Sequence, residues 1–439
     1  MSALKHMMFA ACAPVVAALC ATSASAQAPA FGTFGFDVSG MDRSIAPGDD
    51  FFAYANGAWA KRTEIPADRG SLNGFSALTE SAAERTRAIV EAAAAGNPAA
   101  GADARRIGDF YASFMDEAAI EAKGAAPLKP ELDRIAAIKS VADLSRVLGG
   151  TLRADVDALN STDYYTDRIF GLWVAEDMND TSKYRAYLMQ GGLGMPDRQY
   201  YLGDSDRFKG LRAKYQVHIA TMLRLAGFSD VQARAARVMA LETAIAHAHW
   251  TVDQTGDVAK ANTVWSRSDL TAKAPGMDWK AFLTAAGLAD QPAFGAWQSS
   301  AVAGISRLVA DQPIQAWKDY LAFHAVERGA PYLSKAFVDE HFAFNSKELS
   351  GTPQQRERWK RGVDNTSAAM GEAVGKLYVE KHFTPEAKAK VQAMVKNLLV
   401  AFDARIDRLD WMTPATKAKA KEKLATFQVG VGYPDKWLD

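Results

Sequence analysis

Cysteine is nearly absent from this sequence. Its 439 residues include two cysteines, Cys12 and Cys20, and both fall within residues 1–26, which have the pattern of a cleaved export signal. We therefore expect a mature chain with no thiol, which excludes disulfides, cysteine–zinc sites and a cysteine nucleophile. An exported chain of this size without disulfides relies on core burial, a combination typical of bacterial rather than eukaryotic extracellular proteins.

An excess of charge of either sign is also absent. Lys plus Arg and Asp plus Glu each number 51, so the formal net charge is zero and no global attraction to nucleic acid or an anionic membrane follows. Arg356, Arg358, Lys360 and Arg361 cluster around Trp359. In a neutral chain this pattern favours a solvated helix face over a nucleic-acid contact. We expect no nucleic-acid partner.

The common catalytic motifs are missing too. No histidine is followed by glutamate, so the zinc-binding pattern His-Glu-x-x-His does not occur, and neither does Gly-x-Ser-x-Gly or a Walker loop. His247 and His249 form one close pair, but at i, i+2 on a helix they point about 200° apart. Glu242 reads as an ordinary solvated or paired acid. The residues alone thus indicate no catalytic, cofactor-binding or metal-binding site, although a carboxylate-pair hydrolase stays open.

Residues 1–26 predict a signal peptide. Lys5 supplies a basic start, Met7–Ala21 is an apolar run, and Ala24–Ala26 is a small-x-small cleavage site that leaves Gln27 as the new N-terminus. The apolar run is short for a membrane span of about 20 residues. We expect export to the bacterial periplasm or medium and no stable membrane span after cleavage, with a retained N-terminal anchor as the alternative.

The segment Asp49–Trp59 is dense in aromatic residues. Asp49 and Asp50 can cap a helix, and Asn56-Gly57 supplies residue types that tolerate a left-handed C-cap. Apolar residues recur at helical spacing: Phe51, Ala55 and Trp59. The pattern predicts one or two helical turns that plug a core.

The mature chain is predicted to be mainly α with a minor β component. Helical periodicity covers, in order, 104–115, 132–138, 141–148, 205–226, a segment from 229, 385–409 and 414–424. The composition of Asp163–Val174 predicts a strand or hairpin, and Gly191–Pro196 a turn. Thr384-Pro385 and Thr413-Pro414 are helix starts. The helix after Thr384 is expected to bury its apolar residues, namely Val391, Val395, Leu398, Phe402, Ile406 and Leu409.

Several strings resemble, in order, the signatures of the M13 or neprilysin-like metallopeptidases. Asp49–Trp59 with Ile65-Pro66, and the string Gln190–Leu202, are the most specific. Further similar strings follow in family order: Leu241-Glu242 through His249-Trp250, Arg358-Trp359, Gly371-Glu372 through Phe383, and Gly432–Trp437.

The resemblance implies a zinc endopeptidase of two lobes, one thermolysin-like with the His-Glu-x-x-His zinc site and one a helical lid that admits short peptides. It assigns residues 49–425 to the mostly helical N-terminal domain and 426–439 to the start of a connection toward the catalytic domain. Residues 27–48 are expected to form an extended arm, because they are rich in Gly, Pro and small residues. Because the zinc motif does not occur, we expect this chain to be the substrate-chamber portion of an exported enzyme, with the thermolysin-like lobe largely missing. We expect the chain alone to be inactive and to bind no cofactor, since zinc would belong to the complete enzyme. A truncated gene, a frameshift or a separate catalytic piece would each produce this. The alternative is a stand-alone, non-catalytic peptide-binding module.

The sequence departs from family patterns at two positions. Ser71 stands where some relatives have an arginine that grips the substrate carboxylate, so a preference for C-terminal dipeptides does not carry over. Gly362 stands where disulfide-bonded relatives tend to have cysteine, consistent with the expected thiol-free mature chain.

Overall fold

The computed structural model describes residues 37–96 and 102–438, so the predicted signal peptide and the arm up to residue 36 lie outside the described residues. The chain divides into two compact units, one ending at Ile65 and the other beginning at Pro66. Among the described residues, no helix has the length and apolar character needed to cross a bilayer.

The first unit is built around helix α1 (Phe51–Arg62), which follows a short 3-10 helix. The Asp50 carboxylate accepts a hydrogen bond from the Ala53 amide at 2.8 Å, so the predicted N-terminal cap is confirmed. The predicted C-cap is wrong, because the helix continues through Gly57 to Arg62. Gly57 lets the helix backbone pack closely against Asp42, because a Cβ at this position would come within 2.9 Å of the Asp42 Cβ.

The aromatic residues of α1 do not plug a core within the described residues. Phe51 is 69% exposed and Phe52 is 66% exposed, and Gly57 is the buried residue of the helix. Helical spacing identified an apolar face correctly, but spacing carries no information about what covers that face.

The second unit is mainly helical, as predicted. Its first helices are α2 (Gly74–Ala95), α3 (Asp103–Met115), α4 (Glu117–Lys123), α5 (Lys129–Ala136) and α6 (Val141–Thr151). Next come α7 (Gln199–Leu202), α8 (Asp206–Leu225), α9 (Val231–Ala248), α10 (Val252–Thr255), α11 (Val258–Ala261), α12 (Arg267–Lys273) and α13 (Trp279–Ala285). The remainder are α14 (Ser299–Asp311), α15 (Ile314–Gly329), α16 (Lys335–His341), a π-helix (Phe342–Glu348), α17 (Arg358–Ala369), α18 (Gly371–His382), α19 (Pro385–Arg408) and α20 (Pro414–Ala425).

The minor β component is one four-stranded sheet in the order β1-β2-β4-β3. Its strands are β1 (Phe170–Asp177), β2 (Asp180–Gln190), β3 (Val264–Ser266) and β4 (Ala293–Ala296). β1 and β2 form an antiparallel hairpin, β2 pairs with β4 in parallel, and β3 pairs with β4 antiparallel. The strand predicted within 163–174 is confirmed from Phe170 onward, whereas its hairpin partner β2 was not predicted.

The main core lies where α8, α9 and α15 pack together beside the sheet. On α9 helical spacing predicts that five residues face inward, namely Val231, Ala235, Val238, Leu241 and Ile245; the last four are buried and Val231 is partly buried. A smaller cluster joins sheet and loop residues, including Trp173, Tyr187 and Trp297. A third cluster joins α2, α3, α17 and α18. On α3 helical spacing places Ile107, Phe110, Tyr111 and Phe114 on one side; Phe110 is 37% exposed and the other three are buried.

The basic cluster on α17 is not the solvated face that the sequence predicted. The Lys360 ammonium lies 3.3 Å from Asp68 and 2.5 Å from Glu80, and its side chain is 11% exposed. Arg358 donates to the Phe114 carbonyl oxygen. The cluster therefore ties α17 to α2 and α3. Charge counting missed this because the acidic partners are far away in sequence.

The two Thr-Pro helix starts are confirmed, but the burial predicted for α19 is wrong. The hydroxyls of Thr384 and Thr413 accept capping hydrogen bonds at 3.3 Å and 3.2 Å. None of the six apolar residues expected inside is buried, and Leu398 and Phe402 are 52% and 58% exposed. Lys388 is the buried residue of α19. The other four, Val391, Val395, Ile406 and Leu409, are partly buried, so the described residues cover the apolar face only in part.

Candidate ligand-binding site

A cavity of about 500 Å³ lies where three loops of the second unit meet. The loops precede β1, follow β2 and follow α9. The lining residues are Thr162–Thr166, Gln190, Gly191, Leu193, Pro196–Gln199, His249–Asp253 and Thr255. The glycine-rich string after β2 and the His-Trp pair after α9 thus line the same cavity, although they are distant in the sequence.

The Gln190 side chain holds two of these loops together. Its Oε1 accepts from the Trp250 amide at 2.7 Å, and its Nε2 donates to the Trp250 carbonyl at 3.2 Å. The backbone N–H of Gln190 donates to Gln298 Oε1 at 3.0 Å. One side chain therefore satisfies both backbone groups of Trp250, as a neighbouring strand would.

His249 is a neutral imidazole at the cavity wall. Its Nε2 lies 3.0 Å from the Gly191 carbonyl oxygen, so Nε2–H is the donor and Nδ1 is an acceptor. Burial, and then the neighbouring Arg198 guanidinium, lower the pKa of His249 to about 4. Among the described residues Nδ1 has no hydrogen-bond partner. The ring therefore presents a free acceptor beside the cavity at neutral pH.

A fully buried carboxylate supports the cavity loop from behind. Glu242 on α9 accepts from Tyr201 at 2.6 Å and Tyr215 at 3.2 Å, and it lies 2.8 Å from His324 Nε2. The Tyr201 hydroxyl in turn accepts from the Met195 amide at 2.9 Å. Glu242 is thus a paired acid, one of the two states expected for it, but its partners could not be inferred from sequence spacing.

A second histidine–carboxylate cluster lies between α8, α15 and α16. His218 is 2.9 Å from Glu340 through Nδ1 and 3.0 Å from Glu327 through Nε2. Glu327 also accepts from His341 at 2.8 Å and from Asn345, a residue of the π-helix, at 2.6 Å. Burial opposes protonation of His218, but hydrogen bonds to the two carboxylates outweigh it and raise its pKa to about 9. This arrangement is a charged structural cluster.

The close histidine pair does not converge. His247 is exposed on the last turn of α9, whereas His249 follows the helix end and contacts Gly191. No group of three or more His, Cys, Asp or Glu side chains within residues 37–96 and 102–438 is arranged to hold a metal ion.

The two positions that depart from family patterns have different surroundings. Ser71 is exposed, just before α2. Gly362 on α17 packs against the aromatic ring of Tyr111, which a Cβ would approach to 2.8 Å. That the chain lacks a preference for C-terminal dipeptides, because of Ser71, stays a prediction.

Comparison with known proteins identifies the family. The profile of peptidase family M13 matches residues 47–434, which is most of the chain. The chain belongs to peptidase family M13, and the expected resemblance is confirmed.

Individual relatives support the same grouping. Endothelin-converting enzyme-like 1 of Mus musculus is 28% identical over 405 residues, which cover 90% of this chain and 51% of that protein. The crystal structure of Mycobacterium tuberculosis zinc metalloprotease ZMP1 in complex with an inhibitor superimposes with a TM-score of 0.82 at 36% identity, covering 92% of this chain and 60% of that one. PepO from Lactobacillus rhamnosis, at 21% identity and a TM-score of 0.74, shares the fold. The chain spans about half the length of the curated relatives it matches.

Proposed function

We propose that this chain is the helical substrate-chamber lobe of an exported M13-type zinc endopeptidase acting on short peptides, and that alone it does not cleave them. The observation that carries the proposal is the match to family M13 across a mainly helical chain. The statement that the chain alone does not cleave peptides is supported by its side chains, because the described residues contain no group of three or more potential metal ligands. When bound in a complete family enzyme, zinc would polarise the scissile carbonyl and activate water.

The exposed apolar residues of α19 support docking of a partner lobe at this helix. Leu398 and Phe402 lie beside a surface cavity of about 620 Å³ that is also lined by Arg405 and Leu409. Soluble proteins rarely leave such surfaces open unless something binds there. We propose that the occupant is the zinc-bearing catalytic domain, since the matched relatives are about twice as long as the aligned region.

The decisive experiment is an activity assay on the purified chain from Gln27 to Asp439. We expect no chelator-sensitive cleavage of an internally quenched short peptide and no stoichiometric zinc after dialysis against zinc chloride, measured by atomic absorption. Zinc-dependent cleavage by this chain alone would contradict the proposal. Reading the genomic DNA beyond the Asp439 codon in all three frames is the companion observation, and an encoded His-Glu-x-x-His would support a lobe of a larger enzyme.

A second candidate function is a stand-alone peptide-binding module. The cavity of about 500 Å³ favours it, since a pocket of this size can hold a peptide side chain without any catalytic group. This candidate expects a soluble monomer with saturable peptide binding. A chain that only aggregates, or calorimetry that detects no heat with any peptide, would count against it.

A further inference from the structure

We propose that the cavity between the Gln190–Gln199 and His249–Thr255 loops binds a cationic group of a peptide, an ammonium or a guanidinium. This inference rests on the proposed function only in taking a peptide as the ligand. Three features of the cavity wall support it: an excess of carboxylates, an unpaired acceptor nitrogen, and aromatic rings.

The charge of the lining is negative. Three carboxylates line the cavity, those of Asp163, Asp197 and Asp253, against the single guanidinium of Arg198, which leaves a formal excess of two negative charges. Asp197 accepts from the Gln199 amide at 2.6 Å, so it is held in place by its own loop. A cleft lined by charge of one sign concentrates ligands of the opposite sign.

The unpaired acceptor is His249 Nδ1. Because the Gly191 carbonyl fixes the Nε2–H tautomer, Nδ1 can only accept a hydrogen bond while the ring is neutral. Arg198 strengthens this preference, since its guanidinium disfavours a second positive charge on the ring. Arg198 itself is anchored, with Nε donating to the Ala246 carbonyl at 3.3 Å. A ligand group that donates a hydrogen bond can therefore pair with His249 Nδ1, which a carboxylate cannot do.

Aromatic residues complete the lining. Trp250 is held by Gln190 and by its Nε1 bond to Ser300 at 2.6 Å, so its ring orientation is fixed. Tyr165 is also in the lining and is 46% exposed. Indole and phenol rings attract ammonium and guanidinium groups through their faces. The alkyl stem of a lysine or arginine would pack against the same rings.

The cation could come from a basic side chain or from the free N-terminus of a peptide. Isothermal titration of the chain with three tripeptide amides separates these sources: acetyl-Ala-Lys-Ala, acetyl-Ala-norleucine-Ala and unacetylated Ala-norleucine-Ala. We expect the lysine peptide, the free-amino peptide or both to bind at least about fivefold more tightly than the acetylated norleucine peptide. Equal binding of all three, or no binding of any, would overturn the inference.

Variants locate the binding. Replacing Asp163 and Asp253 together by asparagine should weaken binding of the cationic peptides about fivefold to tenfold. Asp290→Asn, at an exposed acid outside the cavity lining, should leave it unchanged. The thermal unfolding midpoint of each variant confirms that it is folded. Equal losses in the double variant and the control would contradict the assigned site.

Nitrogen NMR gives a readout that needs no substitution. With the chain labelled at histidine, the ¹⁵Nδ1 resonance of His249 should shift on addition of the preferred cationic peptide and not on addition of the acetylated norleucine peptide. A shift with neither peptide would remove His249 from the site. Because binding and cleavage are measured separately, failure here leaves the proposed function standing, and chelator-sensitive cleavage by the chain would overturn that function without affecting this site.

Discussion

Glu242 Oε1 lies 2.8 Å from His324 Nε2 in the centre of the second unit, and neither side chain is more than 2% exposed. The pair joins α9 to α15, while two tyrosine hydroxyls satisfy the rest of the carboxylate. A buried charge of this kind is tolerated only when it is fully hydrogen-bonded. The four side chains therefore behave as one unit that fixes the glycine-rich cavity loop against the core.

Removing the Glu242 carboxylate should be strongly destabilising. Glu242→Ala leaves His324 and two tyrosine hydroxyls buried without their partner, and we expect a loss of about 3–5 kcal/mol in the free energy of unfolding. Urea denaturation followed by circular dichroism measures it. The matched control, Glu84→Ala at an exposed position of α2, should change stability by less than about 0.5 kcal/mol. Similar values for both would show that the network contributes nothing.

The glycine-rich loop should not tolerate a methyl group at Gly194. A Cβ there would overlap the hydroxyl of buried Tyr215, which also bonds Glu242, so Gly194→Ala is expected to cost about 1–3 kcal/mol. Gly210 on α8 is exposed and a Cβ there meets nothing within 4 Å. Gly210→Ala should therefore stabilise the chain by about 0.5–1 kcal/mol. The two thermal midpoints should move in opposite directions.

His218 should make stability fall in mild alkali. Its pKa is raised from an ordinary value of 6.5 to about 9, so its contribution is fully present below pH 6.5 and is lost as the pH rises through 9. The shift corresponds to on the order of 3 kcal/mol. Urea denaturation at pH 6, 8 and 10 should show a decline in the wild type that is reduced in His218→Gln. Parallel pH profiles for the two proteins would contradict it.

His249 should make stability fall in mild acid. Burial, and next the Arg198 charge, lower its pKa to about 4, so the unfolded chain takes up this proton first and stability is lost as the pH falls from 6.5 toward 4. In a proton–carbon NMR titration, His218 should stay protonated to about pH 9 while His249 stays neutral down to about pH 4. Two imidazoles titrating together near pH 6.5 would refute both assignments.

The ion pairs of Lys360 should contribute measurably to stability. Lys360→Met leaves Asp68 and Glu80 paired with Arg69 alone, and partial burial of these side chains suggests a cost of about 1–3 kcal/mol. Lys419, whose side chain is 78% exposed beside Glu422, is the control. Lys419→Met should cost less than about 0.5 kcal/mol, because exposed pairs are screened by water. Double-mutant cycles with Glu80→Gln would check that the cost arises from this pair.

The apolar face of α19 should promote association when nothing covers it. Replacing Leu398 and Phe402 by glutamate should weaken self-association of the purified chain at least about tenfold, because both exposed side chains lose their apolar contacts. Sedimentation velocity at several concentrations measures this. Val217→Glu, at a position 64% exposed on α8, is the control and should leave the distribution unchanged. A wild-type chain that stays monomeric at all concentrations would contradict the docking proposal.

Local signals in the sequence predicted local structure well. Thr384-Pro385 and Thr413-Pro414 place helix starts correctly, because a hydroxyl cap and a proline at the first helical position act within one turn. Helical spacing predicted α3 and α9 with most of their buried residues. β2 was missed because its first half is polar and exposed, with Tyr184 at 74% exposure, so it has no strand-like alternation.

Interactions between distant segments could not be predicted. Glu242 and His324 are 82 positions apart, and spacing in one chain does not indicate which distant residues meet. The same holds for Gln190 and Trp250, 60 positions apart, which shape the cavity. Family resemblance marked both strings as important without indicating that they are neighbours. On α19 the reverse happened, since an apolar pattern was visible in the sequence but Leu398 and Phe402 are exposed among the described residues.

The parallel pairing of β2 with β4 sets an order of events during synthesis. Tyr187 cannot pair with Gly295 until every residue between them has been translated, at roughly 5–20 residues per second. For that interval the β1–β2 hairpin has an open hydrogen-bonding edge, the kind of edge to which other strands add. Nascent chains that end before Ala293 should therefore keep this edge open, whereas chains that extend beyond Ala296 contain the strand that closes it.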